Sequence, residues 1–138
     1  MRYAVSIIAT LAIIYIVPFI LYGLVSVAWD LKPPDDVAPW QFLMSILVSK
    51  TGTAIAFVLI YHFAKAGLNR KWLSYAFIWW LMFAIGELGQ AIGPHYTWNE
   101  AFIGIIAEAI YFPLAAFVTD RMTGAKGRTY RSPWETMG

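Results

Sequence analysis

The sequence lacks cysteine entirely and has few charged residues for its length of 138 residues. The absence of cysteine excludes disulfides, thiolate metal sites and cysteine nucleophiles. Charged residues make up only 13% of the chain, whereas hydrophobic residues make up 60%. A soluble domain of this size could not bury so much apolar surface. These proportions predict an integral membrane protein whose first partner is the lipid bilayer.

Motifs of the common enzyme and cofactor classes are also missing. The chain has no phosphate-binding loop, dinucleotide fingerprint, nucleophile elbow or His-Glu metal spacing. The two histidines, His62 and His95, are predicted at opposite membrane depths, so they could not ligate one haem within a subunit. We therefore predict no cofactor, no metal site, no catalytic residue and no nucleic-acid partner.

Four apolar runs are long enough to cross a bilayer, which requires roughly 20 mostly apolar residues. The runs cover approximately residues 3–29, 40–66, 72–93 and 97–119. The connectors between them contain proline, aspartate, glycine or asparagine, which end helices. The predicted fold is an all-α, four-helix transmembrane bundle at residues 1–121, followed by a basic tail at residues 122–138.

Positive charge is distributed unequally between the two sides of this predicted bundle. One side carries eight basic residues, namely Arg2, Lys65, Arg70, Lys71, Arg121, Lys126, Arg128 and Arg131. The other side carries Lys32 alone. By the positive-inside rule, both termini are predicted to be cytoplasmic, in the cytoplasmic (inner) membrane of a bacterium or archaeon.

Two of the charged residues inside the apolar runs are predicted at the same depth. Lys50 lies ten residues after Trp40, and Glu108 lies ten residues after Trp98. Because a helix rises 1.5 Å per residue, both charges are about 15 Å deep, near the bilayer midplane. A lone charge at that depth is costly. We therefore predict that Lys50 and Glu108 form an ion pair in the bundle core.

Glu87 is shallower and has no charged partner in this pattern. It lies six residues before Gly93, which places it about 9 Å from the outer end of its helix. An unpaired carboxylate there would bind or relay a cation or a proton. Alternatively, Glu87 is protonated and hydrogen-bonded to Gln90. A purely structural role, in which Lys50 and Glu108 fix helix register, also stays open.

Two sets of small or polar residues recur at helical spacing. The third run has a glycine face made of Gly86, Gly89 and Gly93. The fourth run has a small and polar stripe made of Gly104, Glu108, Tyr111 and Ala115. Glycines at such spacing predict close helix packing, and a polar stripe in an apolar run is expected to face the bundle interior.

The candidate ligand-binding or ion-binding residues are therefore Glu87, Glu108, Lys50, Gln90 and Tyr111. They lead to the hypothesis of cation-linked or proton-linked transport of a small solute, with Lys50 as a tethered competitor for the carboxylates. The alternative is a non-catalytic subunit or assembly partner of a larger membrane complex. A membrane enzyme that acts on a lipophilic substrate is a third hypothesis. Since four helices enclose little space, transport is expected to require a homo-oligomer.

Overall fold

A computed structural model of the chain describes residues 2–29, 37–68, 71–94 and 96–123. The regular structure in these ranges is helical and consists of α1 (Arg2–Trp29), α2 (Pro39–Ala64), α3 (Trp72–Ala91) and α4 (Trp98–Thr123). All four helices are long and apolar enough to cross a membrane. The shortest, α3, has 20 residues and so a length of about 30 Å. The predicted all-α class and the four helices of spanning length are confirmed.

Two helix starts follow directly from the local sequence. Pro39 occupies the first turn of α2, where its missing N–H would have had no partner in the helix. Thr97 and Glu100 form the expected capping box at the start of α4. The backbone N–H of Thr97 donates to Oε2 of Glu100 at 2.7 Å, and the backbone N–H of Glu100 donates to Oγ1 of Thr97 at 3.2 Å. Glu100 is therefore a cap.

The end of α4 differs from the prediction, because the helix continues past residue 119 to Thr123. Thr119 and Thr123 are both buried, and the hydroxyl of Thr123 donates to the carbonyl of Thr119 at 2.7 Å. Residues 122 and 123 thus belong to α4 and not to the tail. The predicted tail at 124–138 lies outside the described residues, as does most of the first connector, at 30–36.

Helix α4 is the centre of the bundle. Half of its span (50%) is buried, against 17% of each of the other three spans. Its buried face is rich in small residues, namely Ala101, Gly104, Ala107, Ala115 and Ala116. Small side chains let α1 and α3 approach α4 closely, and Thr10 of α1 is hydrogen-bonded to Thr119 of α4 at 3.1 Å.

Helices α2 and α3 meet mainly through aromatic side chains. The ring of Phe57 lies 4.8 Å from that of Tyr75, 5.3 Å from that of Trp79 and 5.8 Å from that of Phe112, between ring centroids. The hydroxyl of Tyr75 donates to the carbonyl of Phe57 at 2.5 Å. We call these four residues the aromatic cluster. It joins α2, α3 and α4 one helical turn along α4 from Glu108.

Candidate functional site

Glu87 receives a hydrogen bond from the connector that joins α3 to α4. The hydroxyl of Tyr96 donates to Oε2 of Glu87 at 2.5 Å. The hydroxyl of Tyr22, on α1, lies 3.5 Å from that of Tyr96 and donates to the backbone carbonyl of Glu100 at 3.2 Å. The connector and α1 thus hold the Tyr96 hydroxyl in position to donate to Glu87.

The proton of Tyr96 stays on its phenol. Burial raises the pKa of Tyr96 well above its ordinary value, and the hydrogen bonds to Glu87 and Tyr22 raise it further. Tyr96 is therefore a permanent donor at physiological pH, and the carboxylate of Glu87 is its acceptor.

The carboxyl group of Glu87 lies against Gly104 of α4. A Cβ placed on Gly104 would lie 2.6 Å from Cδ of Glu87 and 2.8 Å from its Oε2, which is closer than van der Waals contact permits. Any larger residue at position 104 would force the carboxyl group of Glu87 to move from this position. The group that packs against Gly104 is therefore the side-chain carboxyl of Glu87.

Glu108 is the most buried charged side chain in the described residues. It is 2% exposed, and its Oε2 has no hydrogen-bond partner among the residues that the structure describes. Tyr111, one turn further along α4, is 1% exposed, and its hydroxyl also has no partner within the same ranges. Buried polar atoms are nearly always hydrogen-bonded, so these two oxygens are acceptors that a bound group can use.

Lys50 of α2 reaches this part of α4 and lies over two aromatic rings. Its Nζ is 5.5 Å from the ring centroid of Tyr111 and 5.6 Å from that of Phe83 in α3. The part of the chain that the structure describes has no pair of Lys50 Nζ and Glu108 oxygen within 4.0 Å. The predicted direct ion pair is therefore not formed, because the ammonium group rests on the rings instead.

The three charged groups still interact through space. Glu108 interacts electrostatically with both Glu87 and Lys50, and Lys50 interacts with both carboxylates. We refer to Lys50, Glu87, Tyr96, Glu108 and Tyr111 as the polar site. With both carboxyl groups ionised it carries one net negative charge, and a single proton or monovalent cation makes it neutral.

Gln90 does not belong to the polar site. Its side chain is exposed, and the donor to Glu87 is Tyr96. The alternative in which Glu87 is hydrogen-bonded to Gln90 is therefore not what the structure has. The residues of α3 that flank Glu87 on its buried side are Ala84 and Ala91, each 7% exposed.

The glycine face of α3 is exposed on the surface of the bundle. Gly86 and Gly89 are exposed, and a Cβ placed on either would meet nothing within 4 Å. Gly93 is exposed as well, and its Cβ would meet the carbonyl oxygen of Gln90 in its own turn at 3.1 Å. Among the residues that the structure describes, no helix makes the close approach predicted at these glycines, and the buried small residues of α3 near Glu87 are alanines.

Sequence reasoning missed three contributors to the site. Tyr96 lies in a connector, where no periodicity indicates which way a side chain points. Tyr22 and Phe83 are aromatic residues in apolar runs, and nothing in their spacing separates them from ordinary packing residues. Within the described ranges, no group of three or more histidine or carboxylate side chains is placed to hold a metal ion.

Tyr96→Phe removes the donor to Glu87 and keeps the ring. Because hydrogen bonds to charged groups contribute about 1.5–3 kcal/mol, we expect the free energy of unfolding at neutral pH to fall by about 2 kcal/mol. At acid pH the loss should be smaller, since a protonated carboxyl is a weaker acceptor. Unfolding in mixed micelles, followed by tryptophan fluorescence, measures both values.

Tyr15→Phe is the matched control for this substitution. The hydroxyl of Tyr15 donates to the carbonyl of Leu43 at 3.5 Å, a long bond to a neutral acceptor. Its loss should change the free energy of unfolding by less than about 0.5 kcal/mol at either pH. Equal effects of the two substitutions would show that Tyr96 does not hold an ionised Glu87.

No protein family model, curated protein or solved structure matches this chain. The residues of the polar site are therefore the basis for a proposed function, because fold alone does not determine function.

Proposed function

We propose that this chain is an integral membrane protein that moves a small cation across the bilayer in exchange for a proton, at the polar site. Both termini are cytoplasmic, and the Tyr96 end of the bundle faces outward. The charge distribution of the sequence supports this orientation. The four helices of spanning length support insertion in a membrane.

The observation that carries the proposal is the state of Glu108. An ionised carboxylate that is 2% exposed, with an oxygen that accepts no hydrogen bond, is costly in an apolar bundle. A protonated carboxyl, or a carboxylate with a bound cation, removes that cost. Intramembrane carboxyl groups of this kind occur on ion and proton pathways.

The two carboxyl groups have different surroundings, which divides their roles. Glu87 is half-buried and accepts a hydrogen bond from Tyr96, so it holds negative charge near the Tyr96 end. Glu108 is deeper in the bundle and receives no bond at Oε2, so it holds the proton until a cation replaces it. Lys50 supplies the tethered positive charge that a transported cation must displace.

The aromatic cluster supports a one-sided opening of the site. It joins α2, α3 and α4 beyond Glu108, whereas Glu87 and Tyr96 lie toward the other end of the bundle. A cation would enter past Glu87, and passage to the cytoplasmic side would require rearrangement of the aromatic rings. Such gating of one fixed site is the general principle of alternating access.

Proteoliposomes that contain the purified protein and a pH-sensitive dye test the proposal. An imposed outward cation gradient should drive proton movement in the wild type. Glu87→Gln should reduce the initial rate several-fold, because it removes the charge that attracts the cation. If Glu87→Gln leaves the rate unchanged, the transport proposal fails.

Glu100→Gln is the matched control. It makes the same chemical change in a neighbouring glutamate that acts as a helix cap, and glutamine also serves in a capping box. Its proton flux should equal that of the wild type. A loss equal to that of Glu87→Gln would mean that flux responds to surface charge and not to the polar site.

A role as an assembly partner in a larger membrane complex is the second candidate. The observation that favours it is the exposed pair Gly86 and Gly89, which leaves room for a helix of another subunit against α3. Copurification from native membranes separates the candidates, because a partner of different sequence in stoichiometric amount supports the second. A second copy of this chain is compatible with transport by an oligomer.

A further inference from the structure

Lys50 occupies a cage of aromatic and acidic groups. Its ammonium nitrogen lies 5.5 Å and 5.6 Å from the ring centroids of Tyr111 and Phe83, within the roughly 6 Å over which a ring face attracts a cation. Glu108 lies within electrostatic reach of the same nitrogen and supplies a negative charge there once it has released its proton. Two aromatic rings within reach of one nitrogen, with a carboxyl group nearby, form the usual composition of an organic-cation site.

Two further atoms of the cage are free to bind a ligand. Oε2 of Glu108 and the hydroxyl of Tyr111 are both buried, and neither has a hydrogen-bond partner in the described part of the chain. Each can accept a hydrogen bond from an N–H group. Lys50 reaches the rings but comes no closer than 4.0 Å to the Glu108 oxygens, so its tether leaves these acceptors unused.

We infer that the cage formed by Phe83, Tyr111 and Glu108 binds a small monovalent organic ammonium ion, and that the side chain of Lys50 is its internal occupant. The inference rests on the proposed function, because it names the class of cation that is transported. An untethered ammonium with N–H groups can lie over the rings and also reach Oε2 of Glu108.

The chemistry of the cage disfavours a metal ion as its ligand. Hard divalent cations need several oxygen ligands, and the described ranges contain no group of three or more carboxylate or histidine side chains. Aromatic faces replace water around an organic cation, whose charge is more weakly hydrated than that of a small metal ion. The cage therefore selects ammonium compounds by chemical class.

The atoms that Lys50→Ala removes define a small ligand with which to test the cage. Lys50→Ala removes three methylene groups and the ammonium, which together have the shape of n-propylammonium. Binding of n-propylammonium chloride to purified full-length protein is measured by isothermal calorimetry and by its effect on the thermal midpoint. We expect binding to Lys50→Ala about tenfold tighter than to the wild type, with an increase in the midpoint.

Three comparisons make this result specific. 1-Propanol, a neutral molecule of the same size, should not stabilise Lys50→Ala. Lys65→Ala removes a lysine whose Nζ is bound to the carbonyl of Thr123, outside the cage, and should gain no affinity. Glu108→Gln combined with Lys50→Ala should lose the gain. Equal stabilisation by the alcohol, or equal affinity in Lys65→Ala, would overturn the inference.

A second measurement uses the wild type, in case Lys50→Ala does not fold. Lys50 should react slowly with an amine-acylating reagent. Saturating trimethylammonium chloride, a tertiary ammonium that keeps an N–H group and that the reagent does not consume, should displace Lys50 and increase its modification, read by peptide mass spectrometry. An unchanged rate at Lys50 would overturn the inference. Binding without flux in proteoliposomes would retain the cage and refute transport, whereas flux without propylammonium binding would retain transport and refute the cage.

Discussion

Glu108→Gln should reduce cation-driven proton movement to the level of empty liposomes while the protein remains folded. Glutamine has nearly the shape of a protonated glutamic acid, so it fits the same buried position on α4. It cannot release or bind a proton at neutral pH. Removal of the titratable group therefore removes the exchange and leaves the packing intact.

The stability of this variant is a test in its own right. If Glu108 carries a proton in the resting state, the uncharged replacement should change the free energy of unfolding by less than about 1 kcal/mol at neutral pH. If Glu108 were ionised and stabilised by Lys50, neutralisation would leave a buried ammonium uncompensated and cost several kcal/mol. A large loss of stability together with retained flux would contradict the assignment of the proton to Glu108.

Gly104→Ala should lower both stability and transport, whereas Gly86→Ala should raise stability. Alanine in place of an exposed helical glycine stabilises a helix by about 1 kcal/mol, and Gly86 has open space around it. At Gly104 the new methyl group would lie 2.6 Å from Cδ of Glu87, so the carboxyl group must move. The gain in helix stability is then smaller than the stability lost with the hydrogen bond from Tyr96 to Glu87.

The expected changes in the free energy of unfolding have opposite signs for the two glycine substitutions. Gly86→Ala should be about 1 kcal/mol more stable than the wild type, and Gly104→Ala about 1 kcal/mol less stable. Unfolding in mixed micelles measures both. Adding Tyr96→Phe to Gly104→Ala should cost little more, because the bond is already lost. Additive losses would show that Glu87 keeps its bond to Tyr96 when Gly104 is replaced.

Composition and run length were enough to predict the helices. Each apolar run begins or ends near proline, glycine or charged residues, and these local signals act without tertiary contacts. The end of α4 was missed because Thr119 and Thr123 resemble the polar residues that follow a helix. In the bundle they are buried, and their hydroxyls are satisfied by hydrogen bonds within the protein.

The faces of the helices were harder to predict than their limits. On α3, the glycine face recurs at spacings of three and four, and so do Ala84, Glu87 and Ala91; each set could have faced α4. The buried positions near Glu87 are Ala84 and Ala91, three before it and four after it. Spacing alone could not choose between these stripes, because the choice depends on side-chain packing against α4.

Counting residues from Trp40 and Trp98 predicts that Lys50 and Glu108 lie at the same depth, but it does not predict which groups the ammonium contacts. Lys50 is within electrostatic reach of Glu108, as expected from equal distances to Trp40 and Trp98. The ammonium group nevertheless lies over the rings of Tyr111 and Phe83. A rise of 1.5 Å per residue fixes height along a helix, whereas the position of a long flexible side chain depends on its neighbours.

The two titratable carboxyl groups of the polar site are tested most directly by difference infrared spectroscopy of the reconstituted protein between acid and alkaline pH. We expect two carboxyl bands that appear on acidification, one lost in Glu108→Gln and the other lost in Glu87→Gln. If neither substitution removes a titrating carboxyl band, Glu87 and Glu108 do not exchange protons and the proposed function is wrong.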